Sequence, residues 1–137
     1  MKTPFNIKFL DHVALRVKDL EQSAEWYEKV LGLTRYEAAE WGGFPIILLA
    51  GKTGVALFPA RAGEVNEEIK GNGAIIDHFA FQLSNEDFEK AKAWLSELQI
   101  PYEIQDHHHF LSLYIRDPDG HKVELTTLIG KAEDFYR

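Results

Sequence analysis

Apolar and polar residues alternate in two short stretches of the chain, HVALRV at residues 12–17 and HFAFQL at residues 78–83. A period of two is typical of a β-strand with one buried face. Each stretch is followed by a run with helical spacing of its apolar residues, LEQSAEWYEKVL and EDFEKAKAWLSEL. The pattern therefore predicts the same strand and helix twice.

Residues with strong positional preferences stand at the ends of both predicted helices. Asp19 precedes the first helix, and Ser84 or Asn85 precedes the second. Short polar side chains of this kind accept hydrogen bonds from the first free N–H groups of a helix. Gly32 and Pro101 stand where the two helices are expected to end.

Further strands are predicted after each helix. They are PIILLAG and GVALFPA in the first half, and YEIQ, FLSLYIRD and HKVELTTL in the second, with RDPDGHK as a hairpin turn. The predicted fold is α+β: two tandem βαβββ modules at residues 8–60 and 75–130, joined by a polar linker at 61–74. We expect a single domain over 1–137, in which a curved mixed sheet forms a cup with the helices outside.

The two modules also repeat in sequence. An offset of 66 positions pairs His12 with His78 and Ala14 with Ala80. Internal repeats of this kind indicate a duplicated unit. The same offset pairs Glu124 with Phe58, so the second module carries a carboxylate where the first is expected to carry an aromatic ring.

Composition narrows the function classes. The chain has 137 residues, no cysteine and a formal net charge of -7. The acidic balance argues against a nucleic-acid partner, and the missing cysteines exclude disulfides, thiolate metal sites and a cysteine nucleophile. The start lacks the apolar segment of a signal peptide, and no apolar run reaches membrane-spanning length. We expect a cytoplasmic protein that acts on a small molecule, with no membrane partner.

Alternation along the strands predicts which side chains share a face. The face away from the helices is expected to carry His12, Ala14 and Arg16 in the first module, and His78, Ala80, Gln82, Ser112, Tyr114, Arg116, Lys122, Glu124 and Thr126 in the second. The offset of 66 adds Ile46, Leu48 and Phe58 to this face, as the counterparts of Ser112, Tyr114 and Glu124. Apolar walls with a few convergent polar groups are typical of a small-ligand pocket. A solvent-exposed sheet with ordinary histidines is the alternative.

These residues resemble the vicinal oxygen chelate superfamily, which includes glyoxalase I, fosfomycin-resistance thiol transferases, extradiol dioxygenases and metal-free bleomycin-resistance proteins. The matching stretches are LDHVALRVKDLEQSAEWYEKVLGL, IDHFAFQL and LYIRDPDGHKVEL. The resemblance implies a divalent metal ion (Fe²⁺, Mn²⁺ or Zn²⁺) held by His12, His78 and Glu124. Glyoxalase I usually has a fourth protein ligand; in this chain we expect that place at Phe58, which cannot ligate. The resemblance also implies a homodimer, in which each cup can be built from two chains.

The resemblance further implies a metal-dependent enzyme that acts on a small molecule chelated through neighbouring oxygens. Extradiol-type ring cleavage is one candidate reaction, because His107, Tyr114 and Glu124 fit the pattern near the last ligand of those enzymes. Tyr114 and His107 are then the expected catalytic residues. The expected substrate-binding residues are Arg16, Ile46, Leu48, Phe58, Ser112 and Arg116.

Two alternatives stay open. A fosfomycin-type thiol transferase is favoured by Ser112 and Tyr114, whose spacing matches the phosphonate contacts of that family. Those enzymes usually have a threonine at the position of Ala14. They also usually have several basic residues beyond Glu124, where this chain has Lys131. A metal-free drug-binding protein is the second alternative, although such proteins generally lack the ligand triad. The metal, the substrate and the roles of His108, His109 and His121 are not assigned by the sequence.

Overall fold

A computed structural model describes residues 2–61 and 73–136, and the chain divides into two units, Met1–Ala62 and Gly63–Arg137. Unit 1 contains β1 His12–Val17, α1 Leu20–Leu31, β2 Thr34–Tyr36, β3 Ile46–Ala50 and β4 Thr53–Pro59. Unit 2 contains β5 Phe79–Leu83, α2 Asn85–Glu97, β6 Glu103–Asp106, β7 Phe110–Arg116, β8 Lys122–Leu128 and α3 Ala132–Phe135. The tandem βαβββ order is confirmed. Most of the predicted linker lies outside the described residues.

Each unit has one four-stranded mixed sheet. The strand orders are β1-β4-β3-β2 and β5-β8-β7-β6, with the first pair parallel and the others antiparallel. In the described ranges every strand pairs within its own unit, so the predicted single sheet is two sheets. No helix in these ranges is long and apolar enough to cross a membrane.

The predicted helix ends are confirmed. Asp19 Oδ1 accepts a hydrogen bond from Gln22 N at 3.0 Å, and Gly32 ends α1 with a left-handed φ of 68°. Ser84, rather than Asn85, caps α2 by accepting from Asp87 N at 3.1 Å. The apolar stripes of the helices pack on their own sheets, because the buried residues of α1 and α2 include Tyr27 and Phe88.

Strand β2 was not predicted from the sequence, and a charge cluster ties it to α1. Arg35 donates to Glu28 Oε1 from Nε at 3.0 Å and from Nη2 at 2.6 Å, and Nη1 donates to Glu21 at 2.9 Å. The hydrogen bond from Nη1 lowers the pKa of Glu21. The ion pairs lock the short strand to the helix although its sequence has little strand pattern.

The predicted face of Ile46 and Leu48 is wrong. In the β3–β4 pair Ile46 lies opposite Leu57 and Leu48 lies opposite Val55, residues of the buried helix-facing side. Their exposed fractions are 3% and 0%. The side that carries His12 receives Ile47 in their place.

The error arises because the repeat offset is not constant. Ala14 pairs with Ala56 and Ala80 pairs with Glu124, so the counterpart of Glu124 is Ala56, 68 positions away, and not Phe58. The counterpart of Tyr114 is likewise 67 positions away, at Ile47. Relative to the offset of 66, connections of different length shift the register by two residues in β4, which keeps the face, and by one residue in β3, which reverses the face of every side chain.

Gly54 lies opposite His12 in the β1–β4 pair and has no room for a side chain. A Cβ there would lie 1.9 Å from the carbonyl oxygen of Leu48. We expect Gly54→Ala to lower the free energy of unfolding by about 3 kcal/mol, because backbone must move. Urea denaturation checks this. Gly51→Ala is the matched control: its Cβ would meet nothing within 4 Å, so only its left-handed backbone costs energy, about 1 kcal/mol. Equal losses would contradict the explanation.

Candidate active site

The polar face of unit 2 is built by register. Glu124 of β8 lies between Ala80 of β5 and Tyr114 of β7, and Ser112 lies opposite Thr126. Paired residues of neighbouring strands share a face, so these side chains stand on one side of the sheet. Ala80 leaves space beside the carboxylate. The predicted grouping of these residues on one face is therefore correct within unit 2.

A histidine and a buried carboxylate meet on this face. His78 Nε2 lies 3.0 Å from Glu124 Oε1. The other carboxylate oxygen accepts a hydrogen bond from Ser112 Oγ at 3.2 Å, and Ser112 and Thr126 hydroxyls lie 2.8 Å apart. Glu124 is only 9% exposed. One oxygen therefore faces His78, just before β5, and the other is held by Ser112 of β7, whose hydroxyl also contacts Thr126.

The opposite nitrogen of the imidazole is also engaged. His78 Nδ1 donates to Asp77 Oδ2 at 2.6 Å, and this hydrogen bond, with nearby Lys122, lowers the pKa of Asp77. A neutral imidazole has one N–H, so donation from Nδ1 leaves a lone pair on Nε2. That lone pair and Glu124 Oε1 would repel unless a proton or a cation lies between them.

The pair has the chemistry of a metal-binding site. Imidazole nitrogen and carboxylate oxygen suit Zn²⁺, Mn²⁺ and Fe²⁺. Two ligand atoms about 2.1 Å from an ion and at right angles to each other lie about 3.0 Å apart, which is the spacing seen here. The described part of unit 2 brings no third His, Asp or Glu to the pair, so His78 and Glu124 leave most of an ion's coordination positions open.

His12 of unit 1 contacts the aspartate that precedes it, as His78 does in unit 2. Its Nδ1 donates to Asp11 Oδ1 at 2.8 Å, and its side chain is 46% exposed. The backbone before it is anchored, because Gly54 N donates to Asp11 O at 3.2 Å and Thr53 Oγ1 donates to Leu10 O at 2.6 Å.

The two predicted catalytic residues contact each other. His107 Nε2 lies 2.9 Å from Tyr114 Oη. Burial and the neighbouring carboxylate of Glu124 raise the pKa of Tyr114 to about 12. The phenol therefore keeps its proton at neutral pH and can donate a hydrogen bond. His108, directly after His107, takes a positive φ of 68° in the turn before β7.

A cavity of about 300 Å³ opens beside Tyr114 and is lined in part by Tyr102, Glu103, Arg116 and Lys122. Lys122 Nζ lies 4.6 Å from the centroid of the Tyr114 ring and 3.5 Å from Asp77 Oδ2. Arg116 Nη1 donates to Gly120 O at 3.0 Å. Alternation along β8 placed Lys122 on the same face as Glu124, two residues away, but of these two cations only Arg116 was expected to bind substrate.

The corresponding face of unit 1 carries an aromatic cluster beside Arg16. Phe58 lies opposite Arg16, whose guanidinium carbon is 5.4 Å from the ring centroid, and Phe44 packs edge-on at 6.3 Å. Arg16 also donates to Pro59 O at 3.1 Å. Arg16 and Phe58 share the His12 face, as predicted, whereas Ile46 and Leu48 do not.

Comparison with known proteins identifies relatives across nearly the whole chain. The model of the Glyoxalase/Bleomycin resistance protein/Dioxygenase superfamily matches residues 9–125. The chain is 30% identical to the glutathione transferase FosA of Serratia marcescens, over 87% of this chain and 80% of that protein. It is 32% identical to the metallothiol transferase FosB of Staphylococcus epidermidis, over 88% of this chain and 82% of that protein.

Solved structures share the fold. A glyoxalase/dioxygenase from Nostoc punctiforme has a TM-score of 0.73 at 22% identity and covers 95% of this chain and 97% of its own. The fosfomycin resistance protein FosX from Listeria monocytogenes has a TM-score of 0.66 at 19% identity, with 94% and 98% covered. At these identities the likeness concerns the fold alone.

Tyr114 makes the free energy of unfolding of the metal-free protein vary with pH in the alkaline range. Its pKa of about 12 exceeds the ordinary value of 10.0, so between these values the folded state retains a proton that the unfolded state loses. Stability attributable to Tyr114 is therefore full below pH 10 and falls as the pH rises towards 12. Urea unfolding should show a shallower alkaline decline for Tyr114→Phe than for the wild type. Below pH 9 the two curves should run parallel, and parallel curves above pH 10 would contradict the shift.

Proposed function

Because the chain belongs to the Glyoxalase/Bleomycin resistance protein/Dioxygenase superfamily, we propose that it is a metal-dependent enzyme that transfers a thiol to a small electrophile. The observation that carries the proposal is the buried Glu124 carboxylate, 3.0 Å from His78 Nε2. Relatives at 30% and 32% identity, named as a glutathione transferase and a metallothiol transferase, support the reaction class.

His78 and Glu124 would hold the metal ion, and His12 would be the third protein ligand, supplied by the same chain or by a second copy in a homodimer. Mn²⁺, Fe²⁺ and Zn²⁺ all suit this ligand set. When bound, the metal would supply Lewis-acid chemistry at a substrate oxygen. Ala56, at the register position of Glu124 in unit 1, cannot ligate, which supports an open site with three protein ligands.

Tyr114 and His107 would guide the proton that the released substrate oxygen takes up. In the opening of an epoxide by a thiol, a C–S bond forms, a C–O bond breaks, and the released oxygen takes the proton that the thiol gives up. The Tyr114 hydroxyl would donate a hydrogen bond to that oxygen, and His107, 2.9 Å away, would hold the hydroxyl and return its proton. Ser112 would keep Glu124 oriented.

Fosfomycin, an epoxide with a phosphonate group, is the first substrate to test. Ala14 lacks the hydroxyl usual in that family, which weakens the expected phosphonate contacts. Arg116 and Lys122 line the cavity beside Tyr114 and would supply positive charge to an anionic group. The proposal therefore covers thiol transfer to small electrophiles in general and not to fosfomycin alone.

A second candidate is extradiol ring cleavage. The specific observation in its favour is the His107–Tyr114 contact at 2.9 Å, which brings together the two residues that the dioxygenase pattern selects. Oxygen uptake by the Fe²⁺-loaded protein with catechols would distinguish it from thiol transfer, because thiol transfer consumes no oxygen.

Metal loading tests the site directly. After incubation with Mn²⁺ or Zn²⁺ and desalting, we expect the wild type to retain about one ion per chain and Glu124→Ala to retain far less, since an anionic ligand is lost. Elemental analysis measures the content, and circular dichroism checks the fold. Glu97→Ala removes an exposed carboxylate from the end of α2 and is the matched control. Equal metal in the wild type and Glu124→Ala would overturn the metal site.

Thiol consumption tests the reaction. The Mn²⁺-loaded wild type should consume glutathione or L-cysteine in the presence of fosfomycin, measured by loss of free thiol. Tyr114→Phe should lower kcat/KM by about 100-fold, because a hydrogen bond to the developing charge is lost. Tyr36→Phe, in the short strand β2, is the control. Oxygen uptake with catechols but no thiol loss with fosfomycin or other epoxides would replace this proposal with the second candidate.

A further inference from the structure

One contact occurs twice in the chain, between each of two histidines and the aspartate before it. Asp11 Oδ1 lies 2.8 Å from His12 Nδ1, and Asp77 Oδ2 lies 2.6 Å from His78 Nδ1. Adjacent side chains in a regular strand point to opposite faces and do not meet. Strand β1 begins at His12 and β5 begins at Phe79, so each aspartate stands where this alternation has not yet begun.

Different groups hold the two aspartates in place. The backbone of Asp11 accepts from Gly54 N at 3.2 Å, and the residue before it is bonded to Thr53. The side chain of Asp77 instead lies 3.5 Å from Lys122 Nζ. The same contact with Nδ1 thus arises from two unlike surroundings, which argues against an accident of one loop.

The contact has a chemical consequence for the imidazole. A carboxylate can only accept at Nδ1, so the neutral ring carries its proton there and keeps its lone pair on Nε2. In unit 2 that lone pair points at Glu124 Oε1, 3.0 Å away. A carboxylate that accepts a hydrogen bond from Nδ1 also makes the imidazole a more basic metal ligand at Nε2.

We propose that Asp11 and Asp77 are positioning residues that fix the tautomer and ring orientation of His12 and His78 for metal binding. Neither aspartate is a ligand in this scheme. The carboxylates are 78% and 68% exposed, and exposed pairs contribute little to folding stability. Their removal should therefore change metal affinity far more than stability. The inference rests on the proposed metal-dependent function, except for the tautomer, which needs no metal.

Zn²⁺ affinity of the full chain, measured by competition with a chromophoric chelator, is the first readout. Asp11→Ala and Asp77→Ala should each raise the dissociation constant by about 10- to 100-fold, with urea midpoints close to the wild type. Asp77→Glu should recover part of the loss. Asp87→Ala, which removes the same charge from the first turn of α2, should leave the affinity unchanged.

Nitrogen-15 NMR of the metal-free protein is the second readout, at a pH where the ring is neutral. His12 should carry its proton on Nδ1 in the wild type and on Nε2 in Asp11→Ala. Tight Zn²⁺ binding by the wild type and both alanine variants alike would overturn the inference while leaving the metal site intact. Failure of the wild type to bind Zn²⁺ would overturn the metal site, and the His12 tautomer would then decide the inference: an Nε2 proton in the wild type refutes it.

Discussion

The buried carboxylate of Glu124 constrains the whole of unit 2. Removing an ionised carboxylate from water is costly unless its oxygens are paired. Here Ser112 of β7 donates to one oxygen, and the other faces His78 Nε2, just before β5, where a proton or a cation completes the pairing. The segments on both sides of β8 must therefore be in register. A one-residue slip of β8 would turn Glu124 into the apolar side against α2. The register of three strands therefore depends on the pairing of this one group.

The predictable parts of the fold are those set by local chemistry. Helix ends follow from Asp19, Gly32 and Ser84, because capping depends on residues within one turn. Strand β2 and helix α3 were not predicted, since each is four residues or shorter and carries little periodic pattern. For β2 the stabilising contact comes from Arg35 and helix α1, a tertiary interaction that no window of sequence contains.

Face assignment succeeded where the register could be read from one strand and failed where two strands had to be aligned. Tyr114 and Ser112 were placed correctly, because alternation within β7 needs no partner. Ile46 and Leu48 were placed on the wrong face, because a constant offset of 66 was carried through connections of unequal length. The repeat offset of 67 in β3 cannot be read from the sequence, yet it determines which face of the sheet these two residues take.

The contacts of the aspartates were equally hidden. Alternation along a strand predicts that the side chains of Asp11 and Asp77 point away from those of the neighbouring His12 and His78. Their contacts with Nδ1 exist because the regular strand has not yet begun at those positions. The sequence signal that could have found them is an Asp-His pair at the same point of both modules, before the first strand. The dipeptide alone is not enough, because it also occurs at Asp106-His107, where Asp106 accepts from His108 N instead.

The duplication explains how one fold carries two unlike faces. In unit 1 the row across the sheet is Tyr36, Ile47, Ala56 and Ala14, and in unit 2 it is Glu103, Tyr114, Glu124 and Ala80. The alanine of the first strand is kept in both rows, whereas the central position is a methyl group in one and a carboxylate in the other. A buried carboxylate needs a complete set of partners, and unit 1, with Ile47 where unit 2 has Tyr114, offers fewer of them. The exposed Asp-His pair costs little free energy and is present in both units. The buried carboxylate costs more, and it occurs in unit 2, where Ser112 donates to one oxygen and a proton or a cation can lie between the other oxygen and His78 Nε2.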